Sequence, residues 1–97
     1  MPILTEADDI ALLRYIHSHI RTWGFAPSRR QIARNLGLRS TSPVHARMTR
    51  LIDMGWITSK KRTARGLNVT RTGITAMRKW DEKIDQSISE WREQHSG

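Results

Sequence analysis

Cysteine is absent from the 97 residues. That excludes a disulfide framework and thiolate zinc sites, and it suits a reducing compartment. Any metal would have to rest on four scattered histidines and the carboxylates. His17 and His19, two apart on a helix, face nearly opposite sides, so no metal is expected. Long apolar runs are also missing. None approaches the roughly 20 residues that cross a bilayer. The start, Met1-Pro2-Ile3-Leu4-Thr5, runs into acids where an export signal would have a basic and then an apolar stretch. A soluble, unexported, cytoplasmic protein with no membrane partner is the expectation. Nor is there a nucleophile with a matched base, a carboxylate pair in an apolar setting or a Gly-rich phosphate loop. An enzyme has no support, and no cofactor is expected.

What is abundant is positive charge, and it is unevenly placed. The formal net charge is +8. From Arg14 to Arg71, thirteen Lys/Arg stand against Asp53 alone, a local balance of +12; outside that span four basic residues face eight acids. A one-signed field confined to the middle of a chain concentrates a polyanion, and duplex DNA is the densest common one. At this length only one core can form, so the expectation is one domain with an appendage.

Thr5-Glu6-Ala7-Asp8 has the form of a helix cap with an acidic first turn, and Ile10, Leu13, Ile16, Ile20 and Trp23 follow at helical spacing. A first helix from about Glu6 to Trp23 ends at Gly24. Ser28 and Gln31 form a capping box for a short second helix, about Arg29 to Leu36, stopped by Gly37. Ser42-Pro43 reads as an N-cap with proline at the first helical position. Val44, Met48, Leu51 and Ile52 then run to Gly55, with His45, Arg47, Thr49 and Arg50 on a separate polar face. Two helices across a short glycine turn, the second basic on its outer side, make a helix-turn-helix. Trp56–Ser59 and Leu67–Thr70 are short, β-branched segments around a charged tip, which makes a hairpin wing anchored by Trp56 and Ile57. From Thr70-Arg71-Thr72-Gly73 onward, Ile74, Met77, Trp80, Ile84, Ile88 and Trp91 form one apolar stripe over about five helical turns. The fold expected is mainly α with a small β-hairpin: a winged helix-turn-helix over residues 1–70 plus a long C-terminal helix over 71–97.

Gly24-Phe25-Ala26-Pro27-Ser28-Arg29-Arg30-Gln31-Ile32-Ala33, Leu36-Gly37-Leu38-Arg39-Ser40, Val44-His45, Leu51, Gly55-Trp56-Ile57 and Ala64-Arg65-Gly66-Leu67 together resemble the N-terminal DNA-binding domain of LexA-type repressors. The resemblance covers roughly Leu4 to Val69. It implies that the helix starting near Ser42 lies in the major groove, with Ser40, Ser42, Pro43, His45 and Ala46 toward the bases and Arg47 and Arg50 beside them. Either arginine could grip guanine or a phosphate, and the sequence leaves this open. Arg29, Arg30 and Arg34 fall where the family's first motif helix crosses the DNA backbone. Arg39 and Thr41 at the turn, and Lys60, Lys61, Arg62 and Arg65 at the wing, join them on phosphates, with Arg65 aimed at the minor groove. Proline at 43 and arginine at 47 depart from the family pattern, so the family's operator is not transferred.

Family repressors continue into a self-cleaving protease domain, and the helical tail here is too short to build one. Regulation by self-cleavage is not expected of these residues, and a mobile element would suit so compact a regulator. Met77, Trp80, Ile84, Ile88 and Trp91 are expected to pair two copies, because large apolar side chains left on a solvent-facing helix would form an exposed patch. The leading expectation is a homodimeric, sequence-specific repressor on a two-half-site operator. The alternatives are an architectural or replication-linked duplex binder of low sequence preference, and an interaction module whose last helix captures a polymerase subunit or another regulator.

Overall fold

A computed structural model of the chain describes residues 5–59 and 66–95. Its order is α1 (Glu6–Trp23), α2 (Arg29–Asn35), α3 (Ser42–Asp53), β1 (Ile57–Ser59), β2 (Leu67–Val69) and α4 (Arg71–His95). The winged helix-turn-helix with a long last helix is therefore the observed architecture.

α1 starts where the sequence places it. Asp8 N–H donates to the Thr5 hydroxyl at 3.3 Å, and Thr5 N–H donates back to the Asp8 carboxylate at 2.9 Å. These reciprocal bonds satisfy donors that the first turn leaves without partners. The Thr5 backbone bond, then the Thr5 hydroxyl, hold the Asp8 carboxyl below the ordinary carboxylate range, and the charge of Arg47 adds to the effect. α1 buries Ile10, Leu12, Leu13 and Ile16 against Ile32 of α2, Val44 and Leu51 of α3 and the hairpin residues Ile57 and Leu67. The apolar stripe does not stay covered to its end. Trp23 is 64% exposed, because it sits in the last turn, beside the Gly24 reversal, where its ring leans on the His19 imidazole.

α2 and α3 end in the same way. Gly37 and Gly55 take φ +72° and +75°, the left-handed region that a Cβ makes costly. After α2, Gly37 N–H donates to Arg34 and Leu38 N–H to Ala33; after α3, Gly55 N–H donates to Ile52 and Trp56 N–H to Leu51. Both closures satisfy the final carbonyls of the helix and turn the chain sharply. The start of α3 differs from expectation by one residue. Thr41, not Ser42, is the N-cap; its side chain makes no capping bond, and Pro43 takes the second helical position.

The hairpin pairs Ile57 with Val69, Thr58 with Asn68 and Ser59 with Leu67, antiparallel. Trp56 is left out of the strand because it belongs to the junction with α4. There the Thr70 hydroxyl donates to the Gly55 carbonyl and accepts from Gly73 N–H, while Thr70 N–H donates to the Trp56 carbonyl. Gly73 is buried in this corner. A Cβ on it would overlap the Trp56 carbonyl oxygen and come within 3.1 Å of Val69 Cγ1. One turn later Met77 is 7% exposed within the core, and Arg14 of α1 bridges Asp81 of α4 at 2.6 Å.

Among the described residues, one charged side chain lies inside. Asp9 is 5% exposed, and the Arg50 guanidinium reaches it with two bonds, Nε to Oδ1 at 3.2 Å and Nη2 to Oδ2 at 2.6 Å. A carboxylate taken out of water needs such a partner. The same bonds, with the attraction between the charges, hold Arg50 more firmly protonated than an ordinary arginine.

This packing has two measurable consequences. Gly73→Ala, which in an open helix would stabilise by up to about 1 kcal/mol, is expected to destabilise by about 1–3 kcal/mol through overpacking, read as a lower urea midpoint. The Asp8 contribution is present above the unfolded-state carboxylate pKa and is lost as pH falls through the depressed folded value. An Asp8→Ala variant should therefore show a shallower loss of thermal stability on acidification than the parent.

Candidate nucleic-acid interface

The turn between α2 and α3 places the basic residues of this region on one concave surface. Arg30, Arg34, Arg39, Ser40 and Thr41 line it, with Ala33 and Leu38 as its apolar floor. The reason is local: the Gly37 closure sends Leu38 back onto the core, so Arg39, Ser40 and Thr41 emerge beside the outer face of α2. Three guanidinium side chains and two hydroxyls surround one hollow, with no carboxylate among the described residues that line it. They offer donors to an anion with repeated oxygens. Arg29 is exposed at the first position of α2.

Next to the hollow, α3 presents its outer face. Val44 and Leu51 are buried and Met48 is half-buried underneath, which leaves Ser42, Pro43, His45 and Ala46 exposed. Ser40 is exposed just before them. These expected base-reading residues thus share one region of surface, at the N-terminal half of a helix whose dipole end is positive.

The two arginines of α3 are placed differently from that group. Arg50 is committed to Asp9. Arg47 is half-buried, near enough to Asp8 to lower its pKa. Both lean toward the start of α1, because its first turn carries carboxylates that attract them. In place of an arginine, the exposed face continues with Thr49, whose hydroxyl donates to the His45 carbonyl at 2.9 Å. Its side-chain methyl is a contact group of the kind that meets a thymine methyl. Periodicity already sets Thr49, seven residues beyond Ser42 and three beyond Ala46, on the polar face of α3. The resemblance does not single it out.

The wing residues Lys60, Lys61, Arg62 and Arg65 lie outside the described residues. Of the expected pairing set, Met77 belongs to the core of its own chain, and Trp80 is half-buried against it. Ile84, Ile88 and Trp91 remain exposed. Among the described residues, no group of three His, Asp or Glu side chains is gathered to hold a metal, and no helix is long and apolar enough to cross a membrane.

A helix-turn-helix with a cationic hollow at its turn can be compared with known proteins. The family profile described as the LexA DNA binding domain matches residues 1–66. The LexA repressor of Limosilactobacillus reuteri (strain DSM 20016) is 35% identical over 74 residues, which cover 76% of this chain and 36% of that protein. The LexA repressor of Lactobacillus delbrueckii subsp. bulgaricus (strain ATCC BAA-365 / Lb-18) is 33% identical over 74% of this chain and 35% of its own length. That of Limosilactobacillus fermentum (strain NBRC 3956 / LMG 18251) is 32% identical over 79% and 37%. The chain thus spans little more than a third of the length of these relatives. The matched region holds all of α1 to α3, the hollow and the exposed face of α3, and through it this chain belongs to the LexA DNA-binding domain family.

Proposed function

We propose that the chain binds duplex DNA as a transcriptional repressor, with the N-terminal half of α3 in the major groove. The observation that carries this reading is the arginine-lined hollow beside the exposed face of α3. Phosphate contacts fix register and base contacts give sequence preference, and the two surfaces divide in that way. Arg29, Arg30, Arg34, Arg39 and Thr41 hold phosphates. Ser40, Ser42, Pro43, His45, Ala46 and Thr49 face base edges. The wing residues Lys60, Lys61, Arg62 and Arg65 extend the backbone contacts, with Arg65 at the minor groove.

Arg47 and Arg50 have a different part in this reading. Arg50 positions α3 through Asp9 and does not grip guanine. Arg47 serves at the rim of the groove. The relatives whose names carry the word repressor support the regulatory outcome, which is reached by occupying an operator and requires no catalytic step. The protein acts in the cytoplasm, as a pair on two half-sites, and the pair is joined by the distal part of α4.

Selection of bound duplexes from random sequence tests the reading: an enriched motif with two related halves is expected, whereas recovery of unenriched DNA would point to a general duplex binder. Arg30→Gln, Arg34→Gln and Arg39→Gln should each lower affinity on every sequence alike and reduce the slope of log K against log salt by roughly 0.9 for each phosphate no longer neutralised. His45→Ala should instead relax preference at one base position, at a cost of about 1–3 kcal/mol on the best site. Binding without salt dependence would overturn the assignment.

A further inference from the structure

The distal half of α4 leaves Ile84, Ile88 and Trp91 at 42%, 45% and 60% exposed. They continue, at spacings of four, four and three from Trp80, the same stripe through which Met77 and Trp80 meet the core. One face of the helix therefore carries both the folded body and the uncovered apolar residues. Resting on the proposed DNA-binding reading, we infer that a second copy of this chain covers that face with its own α4, running antiparallel.

Sterics choose the direction. In a parallel pair both bodies would lie at the same level of the two helices, each on the face turned toward the other, and would claim the same volume. In an antiparallel pair the bodies sit at opposite ends. Charge agrees with a register that sets Ile84 beside Ile88 of the second copy. Lys83 then meets Glu90 of the second copy, and Asp81 meets Arg92 of the second copy, each repeated by the two-fold axis. Asp81 already holds Arg14, so the added arginine ties the contact to α1. Trp91 of the second copy arrives at the level of Trp80, where Ala7, Ile10 and Ala11 line a shallow, mainly apolar groove beside that indole.

This register also sets the spacing of the two folded bodies. Met77, the anchor of the body, lies level with His95 of the second copy. Eighteen residues at 1.5 Å each give about 27 Å along the axis, and the sideways offset of two packed helices brings the bodies to roughly 30 Å apart. One turn of DNA separates successive major-groove faces by about 34–36 Å. An antiparallel α4 pair therefore spaces the two bodies on the scale of one turn of DNA.

The chain has no cysteine, so a single spin label can be placed cleanly. Full-length protein carrying Gln94→Cys or Ser87→Cys would be labelled and studied by sedimentation equilibrium and pulsed dipolar spectroscopy. The expected result is a dimer, with the labels at 94 separated by roughly 25–30 Å and those at 87, near the two-fold axis, by about 10–15 Å. Ile84→Glu with Ile88→Glu should give a monomer with unchanged helical circular dichroism in the body. Lys83→Glu should weaken pairing by roughly threefold to tenfold, and adding Glu90→Lys in the same chain should restore it.

A monomer at 100-micromolar scale, or a species that associates only with another protein, overturns self-pairing. A dimer whose labels at 94 lie as close as those at 87 overturns the antiparallel direction. Either result can be told apart from failure of the DNA-binding reading, because a fluorescent duplex titrated into the Ile84→Glu, Ile88→Glu monomer still reports whether single bodies bind, with the loss expected mainly in two-half-site affinity.

Discussion

The fold turns on the corner where α3 ends and α4 begins. Gly55 and Trp56 supply carbonyls, Thr70 answers with its hydroxyl and its N–H, and Gly73 removes the Cβ that would hold the helix away. Without that close approach, Met77 could not join the core that Ile57 and Leu67 of the hairpin share with α1 and α3, and two strands of three residues are marginal without such packing. The Thr-x-x-Gly start of α4 is thus a docking device: the threonine caps the helix and staples it, and the glycine makes room. Everything distal follows from the direction in which this corner aims α4.

A second constraint, electrostatic in character, governs the outer face of α3. Asp9 occupies an inward position of α1, and its burial obliges Arg50 to leave the outer face of α3. The exposed face that remains is built of small and polar side chains, with the arginines gathered at the turn and at the rim. Positive charge therefore surrounds the face instead of covering it, an arrangement that in the proposed function would separate general attraction to DNA from discrimination between sequences.

Much of this is legible in the residues. α1 is bounded by Thr5 and Gly24, α2 by its capping box and Gly37, and the hairpin by alternation around Trp56 and Ile57, because caps and left-handed glycines act locally. The errors share one cause, which is that the partner lies far away in sequence. The resemblance sets Arg50 beside the base-facing residues until Asp9, 41 positions earlier, claims it. Met77 reads as part of a pairing stripe until the core of its own chain takes it in. A signal for the first exists: Asp9 lies four residues before Leu13 on the buried side of α1, and a carboxylate there calls for a cation. The one-residue shift at the start of α3 is of a different kind, since Thr41 takes the cap without using its side chain.

The buried Asp9 has a consequence for heredity. Because its charge is neutralised by a residue on another helix, neither position can drift by itself: loss of the arginine strands a carboxylate in the interior, and loss of the acid releases a cation on α3. Divergence at this pair must pass through both codons together, or through an uncharged replacement of each, because the bond ties α3 to the start of α1.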